Sequence, residues 1–386
     1  LILRPYGVVI DGKLELGVEL VMEGKTIAQI RPHTGIPENF VISPAFVNAH
    51  SHLEYRGLQD KMRAEAYWDW IREITQAKMG ESEVKVRRDS ITAAHENRRT
   101  GVALIGEHSD RPTAATALLS ANLDGVIFQE TITFFERDTR QAKIAAIRAK
   151  AVDQGKIIRR PIYLTPHAYH TVDRETLAEF GSSNKPISIH VAETELESQF
   201  TRDGSGQIGD FYRKFGFEVI PTGKDIVPTL KDLGLVRPGA QFVHCCDISA
   251  EDIESLAEGR VSIAHCPRSN TRLQCPTAPI REMLDAGIPV GLGMDSPASS
   301  GVIDMFAEMR EALRVSTHRG KPITEQEVWM MATQGGAESL KFALPDLAPW
   351  EIREGLNTPL IKISLPGATT TLELIERGSP TIISFA

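Results

Sequence analysis

The chain has 386 residues, 41% hydrophobic and 24% charged, with a formal net charge of −8 at pH 7. This is the composition of an ordinary globular protein, and its acidic balance excludes a nucleic-acid polymer as partner, because neutralising phosphates requires a basic surface. No apolar run approaches the ~20 residues of a membrane span, so no membrane partner is expected.

The first forty residues alternate in short β-like bursts. Gly7–Ile10 leads into Asp11-Gly12, Val18–Met22 leads into Glu23-Gly24, and Thr26–Ile30 follows. Asp-Gly between apolar runs predicts a hairpin. From there strand and helix patterns alternate. Eight strands are predicted: Val41–Ala49, Val102–Gly106, Gly125–Gln129, Pro161–Thr165, Pro186–Ile189, Ala240–Val243, Val261–Ala264 and Ile288–Gly293. Helical patterns lie between them at Ala66–Lys78, Val84–Thr100, Arg140–Gln154, Ala250–Ala257 and Ala278–Ala286. Eight strands with intervening helices predict an α/β fold, a (β/α)8 TIM-like barrel, over residues 45–344. Ser198–Lys231 is Gly-bearing and mixed, and reads as an extended loop over the barrel mouth, either a lid or a solvated excursion. The last thirty residues return to strand patterns at Leu360–Leu365, Thr370–Ile375 and Pro380–Phe385. Residues 1–44 and 345–386 are therefore expected to form a small β-sandwich domain from both termini.

Six of the hydrophobic runs stop at a chemically active residue: His50-Ser-His52, His167, His190, His244, His265 and Asp295. In a parallel barrel, strand C-terminal ends converge on one mouth, so these residues are expected to meet. His50 and His52 share a strand face. By itself this pair is a weak signal, since short motifs recur by chance. With His190 and Asp295 it becomes three imidazoles and a carboxylate, a mixed shell suited to one Zn²⁺ or Fe²⁺ ion. Such an ion lowers the pKa of bound water from ~15.7 towards about 7. Glu193, three residues after His190, is placed to carry protons. His244 is placed to hydrogen-bond the attacking oxygen, and His167 to touch substrate. His265 reads as structural, at most a support for Asp295 or its loop.

Cys245, Cys246, Cys266 and Cys275 form neither a disulfide framework nor a zinc-finger spacing, and read as buried free thiols of a reducing compartment. No secretory signal pattern is visible, and a cytoplasmic location is expected.

Pro44-Ala-Phe-Val-Asn-Ala-His-Ser-His52, His190-Val-Ala-Glu193, Val243-His-Cys245, His265-Cys-Pro-Arg-Ser-Asn270 and Gly291-Leu-Gly-Met-Asp-Ser296 together resemble the amidohydrolase superfamily. They are most similar to its mononuclear deaminase branch, the chlorohydrolase and S-adenosylhomocysteine-deaminase-like group. The resemblance covers nearly the whole chain. It implies His50, His52, His190 and Asp295 as metal ligands, and Glu193, His244 and Asp295 as catalytic groups. The run before His167 lacks the lysine that dinuclear relatives carboxylate, which implies one metal. The usual Gly-Thr-Asp is Gly-Met-Asp here, leaving the ligand in place.

Thr165-Pro-His-Ala-Tyr-His170, Tyr67-Trp-Asp-Trp-Ile71, His52-Leu-Glu54 and Pro267–Cys275 are similar to segments of nucleoside and aminofutalosine deaminases. The implied reaction is hydrolytic deamination of an aminopurine nucleoside, led by 6-amino-6-deoxyfutalosine of the futalosine route to menaquinone. S-adenosylhomocysteine, methylthioadenosine, adenosine, guanine and a chlorotriazine are alternatives on the same site, and a non-catalytic scaffold is the remote one. The expected partners are a nucleoside-like small molecule and water, with self-association left open. Trp68 and Trp70 are candidates to stack on the ring or simply to pack their helix. Arg56, Arg137 and Arg268 are candidates for a substrate carboxylate.

Overall fold

The apolar run at Val41–Ala49 is two strands rather than one. A computed structural model, which describes residues 1–135 and 139–383, breaks the run at Ala45. Glu38–Pro44 pairs with Leu360–Ser364 and with Pro5–Ile10, away from the barrel. Phe46–Ser51 then opens the barrel as β1. The break is held from outside: Ala45 N–H donates to Pro359 C=O at 2.8 Å, and the Trp350 indole donates to Ala45 C=O at 2.6 Å.

The other barrel strands follow the predicted order. They are β2 (Val102–Ser109), β3 (Asp124–Thr131), β4 (Tyr163–Pro166), β5 (Ile187–Val191), β6 (Ala240–His244), β7 (Ser262–His265) and β8 (Val290–Leu292). β1 to β4 form one four-stranded parallel sheet in sequence order, and β5 to β8 form another. Isolated bridges link the two sheets at both seams, Ser51 to Asp295 and Ala168 to His190. Every residue of β1, β2, β5, β6, β7 and β8 is buried. Near-continuous apolar runs are what a parallel sheet covered on both faces requires.

The predicted helices appear at Tyr67–Met79, Glu83–Arg99, Arg140–Ile158, Ala250–Glu258 and Ile280–Asp285. Ser198–Lys231 differs from its reading as a loop. It is largely helical, covered by Glu195–Arg202, Gly206–Lys214 and Ile226–Asp232. Gly204 and Gly206 carry φ of +73° and +76°, a conformation natural to glycine. They turn the chain so that Phe200, Ile208 and Tyr212 are all buried in one aromatic cluster.

Thr370–Ile375 also differs: it is a helix, Thr371–Arg377, not a strand. The Thr370 hydroxyl accepts from Glu373 N–H, and the Glu373 carboxylate accepts from Thr370 N–H. This capping box outweighs the β-branched run that suggested a strand.

The chain ends combine in a five-stranded sheet, ordered Ser379–Ile382, Leu360–Ser364, Glu38–Pro44, Pro5–Ile10 and Lys13–Leu16. A three-stranded sheet of Ile2–Leu3, Val18–Glu23 and Thr26–Pro32 shares its core through Val8, Leu20, Ile27, Ile42 and Leu360. The Asp11-Gly12 hairpin forms as expected, with φ of 48° and 74° between the paired residues Ile10 and Lys13. The strand expected at Pro380–Phe385 is seen at Ser379–Ile382, and Ser384–Ala386 lie outside the described residues. Among the described residues no helix is long and apolar enough to cross a membrane.

Candidate active site

β1 delivers His50 and His52 to the barrel mouth, and its seam with β8 delivers Asp295 beside them. Met294 and Asp295 N–H both donate to His50 C=O, at 3.1 and 3.0 Å, and His52 N–H donates to Asp295 C=O at 3.0 Å. The Asp295 Oδ1 atom lies 3.6 Å from His50 Nε2 and 3.8 Å from His52 Nε2. Its Oδ2 accepts from the Ser269 and Ser299 hydroxyls at 2.6 and 2.8 Å. Burial alone would raise this carboxyl, but His50 and His52 outweigh it and hold the group well below the usual carboxylate range.

His190 reaches the same point from β5, with its Nε2 3.3 Å from His52 Nε2. Its Nδ1 sits 2.8 Å from His167 C=O, so that nitrogen carries the proton and Nε2 is left as a lone pair. Burial, then the neighbouring imidazoles, push the pKa of His190 down to about 3 and that of His52 well below its ordinary value. The rings are therefore neutral, the state in which imidazole donates to a metal. His50 Nε2 is buried and has no hydrogen-bond partner. A buried donor atom without a partner, set among two other imidazoles and a carboxylate, fits a divalent cation. His50, His52 and Asp295 offer ligand atoms within 4.8 Å of one another, as do His50, His190 and His244.

Glu193 and His244 lie beside this cluster. Glu193 Oε2 is 3.6 Å from His244 Nε2. The turn after β5 is set by Ala192 at φ +50°, and Glu193 N–H donates to Glu197 Oε1 at 2.8 Å. Burial, then the Asp295 and Glu197 charges, push the Glu193 carboxyl well up. A buried carboxyl whose hold on a proton is strengthened in this way is suited to carrying one. His244 itself has φ +75°, and Cys245 +48°, a conformation that non-glycine residues seldom adopt. The Cys245 and Cys246 N–H groups donate to Val191 and Ala192 C=O, which holds the turn against the end of β5.

His167 is close by. Its Nδ1 is 3.0 Å from the Thr171 hydroxyl, and its ring packs 4.8 Å from that of His190. His265 is buried with neither ring nitrogen hydrogen-bonded. Side-chain support of Asp295 comes instead from Ser269 and Ser299. His265 contributes only its C=O, which accepts from Gly293 N–H at 2.8 Å.

Trp68 and Trp70 are buried in an apolar cluster with Leu58, Phe134, Tyr212 and Leu273. The Trp68 ring meets Phe211 edge-on at 5.6 Å, and the Trp70 indole N–H has no partner. Arg56 is committed to Glu96 through two bonds of 2.7 and 2.9 Å, and Arg268 donates to Val302 C=O at 2.7 Å. Arg137 lies outside the described residues. All four cysteines are free, three of them buried.

Two groups escaped the reading of the sequence. His108, in β2, is buried with its ring 4.2 Å from that of His50 and stacked on Phe128. Glu130, near the end of β3, is buried with both oxygens lacking hydrogen-bond partners. The signal was available: the runs Val102–Gly106 and Val126–Phe128 also stop at polar residues, Glu107-His108 and Gln129-Glu130.

These strand-end residues define a family. The chain belongs to the Amidohydrolase family, whose model matches residues 41–345. It is thus a hydrolase acting on carbon–nitrogen bonds. It is 31% identical over 320 residues to the 5-methylthioadenosine/S-adenosylhomocysteine deaminase of Thermococcus kodakarensis, covering 78% of this chain and 70% of that one. It is 29% identical over 289 residues to the aminodeoxyfutalosine deaminase of Deinococcus radiodurans, covering 70% and 67%. Its TIM-barrel fold is shared with the crystal structure of an adenosine deaminase from Xanthomonas campestris with bound zinc, at a TM-score of 0.80, 21% identity, and coverage of 98% and 89%.

Proposed function

We propose that this chain removes the exocyclic amino group of an aminopurine nucleoside by hydrolysis, with 6-amino-6-deoxyfutalosine as the leading substrate. The observation that carries this reading is the Glu193–His244 pair, 3.6 Å apart and set against the His50, His52, His190 and Asp295 cluster. That cluster would hold one divalent ion, with Zn²⁺ the first choice and Fe²⁺ the second. When bound, the ion supplies Lewis acidity and brings the pKa of water from ~15.7 towards about 7.

The chain's own groups do the remaining work. Glu193 takes a proton from the attacking water and delivers it to a ring nitrogen, which makes the amino-bearing carbon electrophilic. His244 donates through Nε2 to the oxygen being added. Asp295 takes the proton of the added hydroxyl and passes it to the amino group, which leaves as ammonia. His167 contacts the substrate from the end of β4. The apolar cluster containing Trp68 and Trp70 excludes water, and the unpartnered Trp70 N–H is available to an acceptor on the substrate. This proton traffic suits a cyclic amidine, because protonating its ring nitrogen lowers the barrier to attack.

The two sheets at the chain ends form one small β-sandwich domain in this reading, spanning 1–44 and 345–386, with the catalytic barrel at 45–344. The unpaired thiols suit a reducing cytoplasm.

The test is ammonia release by the metal-replete protein from 6-amino-6-deoxyfutalosine, S-adenosylhomocysteine, methylthioadenosine, adenosine and guanine. Fast turnover of the first alone supports the full assignment. Turnover of several adenosine derivatives keeps the deaminase and removes the futalosine role. Silence on all of them, with metal bound, sinks the purine reading and turns attention to chlorotriazines.

A further inference from the structure

The buried carboxylates around the metal cluster are not alike. Glu54 accepts from Ser109 Oγ at 3.0 Å and from the Asp110 and Arg111 N–H groups at 3.2 and 2.9 Å. Glu107 accepts from Leu53 N–H at 3.0 Å. Glu130 accepts from nothing among the described residues. Both of its oxygens are shielded from solvent and without a hydrogen-bond partner. The nearest cationic candidate, His167 Nε2, is 4.0 Å away, beyond hydrogen-bond reach. An unpaired carboxylate in a protein interior is costly, so such a group calls for a partner that the protein chain does not supply.

The neighbours of Glu130 identify that partner. Glu130, His52 and His190 offer ligand atoms that all lie within 4.8 Å of one another. His52 and His190 are two of the residues read above as holding a divalent ion, and this inference rests on that reading. Charge points the same way. Three imidazoles bound through lone pairs and Asp295 leave a divalent ion with one uncompensated positive charge in a buried place. One further carboxylate neutralises it.

We propose that Glu130 is a further metal-holding residue of this chain, facing the same ion from the β3 side of the cradle that His52 and His190 form. The ion then has a carboxylate on each side, Asp295 from the β8 seam and Glu130 from β3.

The experiment compares chelator-stripped wild type, Glu130→Gln and Glu130→Asp by Zn²⁺ titration against a chromophoric chelator, by Co²⁺ absorption spectra, and by thermal melting with and without Zn²⁺. The Gln variant is expected to bind Zn²⁺ about tenfold or more weakly, the usual cost of losing a carboxylate that supports a metal site. Its stripped form is expected to melt no lower than stripped wild type, because burial pushes the unpartnered Glu130 carboxyl well up and Gln matches its protonated form. Its gain on adding Zn²⁺ should be smaller and its Co²⁺ spectrum altered. The Asp variant keeps the charge but draws it back, and should fall between the two. It carries the same comparison if the Gln variant does not fold. Equal Zn²⁺ affinity in wild type and the variants would overturn the proposal, as would a stripped Gln variant that melts below stripped wild type. A wild type that binds no divalent ion would overturn the four-residue cradle itself, a result distinct from equal binding by all three proteins.

Discussion

The side-chain amide nitrogen of Asn270 lies 3.0 Å from His244 Nδ1, while His244 Nε2 lies 3.6 Å from Glu193 Oε2. An amide N–H donated to Nδ1 makes that nitrogen an acceptor and places the ring proton on Nε2, facing Glu193. Asn270 therefore sets the tautomer that the role proposed for His244 requires. Asn270→Ala is expected to lower kcat about 10- to 100-fold with metal content unchanged, a cost typical of losing an orienting partner. Metal analysis alongside steady-state rates checks it, and an unchanged kcat refutes the tautomer argument.

Glu193 is assigned the proton transfer from the attacking water to the ring nitrogen. Glu193→Gln keeps the shape and removes the base, so deamination should fall by ~10²- to 10⁴-fold. Zn²⁺ content should stay the same, since the residue is not among the proposed ligands. Near-normal turnover by this variant would end the mechanism proposed here.

Ser269 and Ser299 both donate to Asp295 Oδ2, leaving Oδ1 turned towards His50 and His52. Removing both hydroxyls frees the carboxylate to rotate. The double variant Ser269→Ala/Ser299→Ala is expected to lose about 10- to 100-fold in Zn²⁺ affinity. Competition with a chelator measures this, and wild-type affinity would show that the serines only fill space.

Far from the site, Glu19 is enclosed by Arg4, Arg31 and Thr34, with contacts of 3.1, 2.9 and 2.8 Å. Burial works to raise its pKa, but the bonds from Thr34 and Arg31 outweigh it and lower the value from 4.5 to about 2. A carboxylate depressed in the folded state binds protons more readily once unfolded. Its stabilising contribution is therefore full above pH 4.5 and is lost as the pH falls towards 2. Urea unfolding of wild type and Glu19→Gln across this range should show a gap that is widest at neutral pH and closes in acid. A gap that does not depend on pH would contradict the assignment.

Much of the site could be read from the chain because each strand carries its own message. A parallel strand covered on both faces is an apolar run, and its C-terminal end is where a polar residue can reach the barrel mouth. His50, His52, His190, His244 and Asp295 stand out for that local reason, and the structure brings them together. Trp68 and Trp70 were more ambiguous, because buried aromatics look the same in sequence whether they face a ligand or an apolar cluster.

Other features depended on residues distant in sequence. The split of Val41–Ala49 at Ala45 follows from Leu360–Ser364 and Pro359 pairing with the segment from the far end of the chain. The helices Glu195–Arg202 and Gly206–Lys214 owe their place to aromatic packing with Phe134 and Trp68, contributed by other barrel connections, while Ile226–Asp232 packs into the main core through Ile226, Val227 and Leu230. Glu130 looks in sequence like one more polar strand end. Its isolation from every hydrogen-bond donor, and its approach to His52 and His190, arise only when β3 is set beside β4 and the β4–β5 seam closes. Which residue types sit at the strand ends is already written in the chain, because burial demands apolar runs between them. The tertiary structure alone decided which of those ends share one cavity and which charges within it remain uncompensated, because both depend on contacts between strands and not on any strand's own pattern.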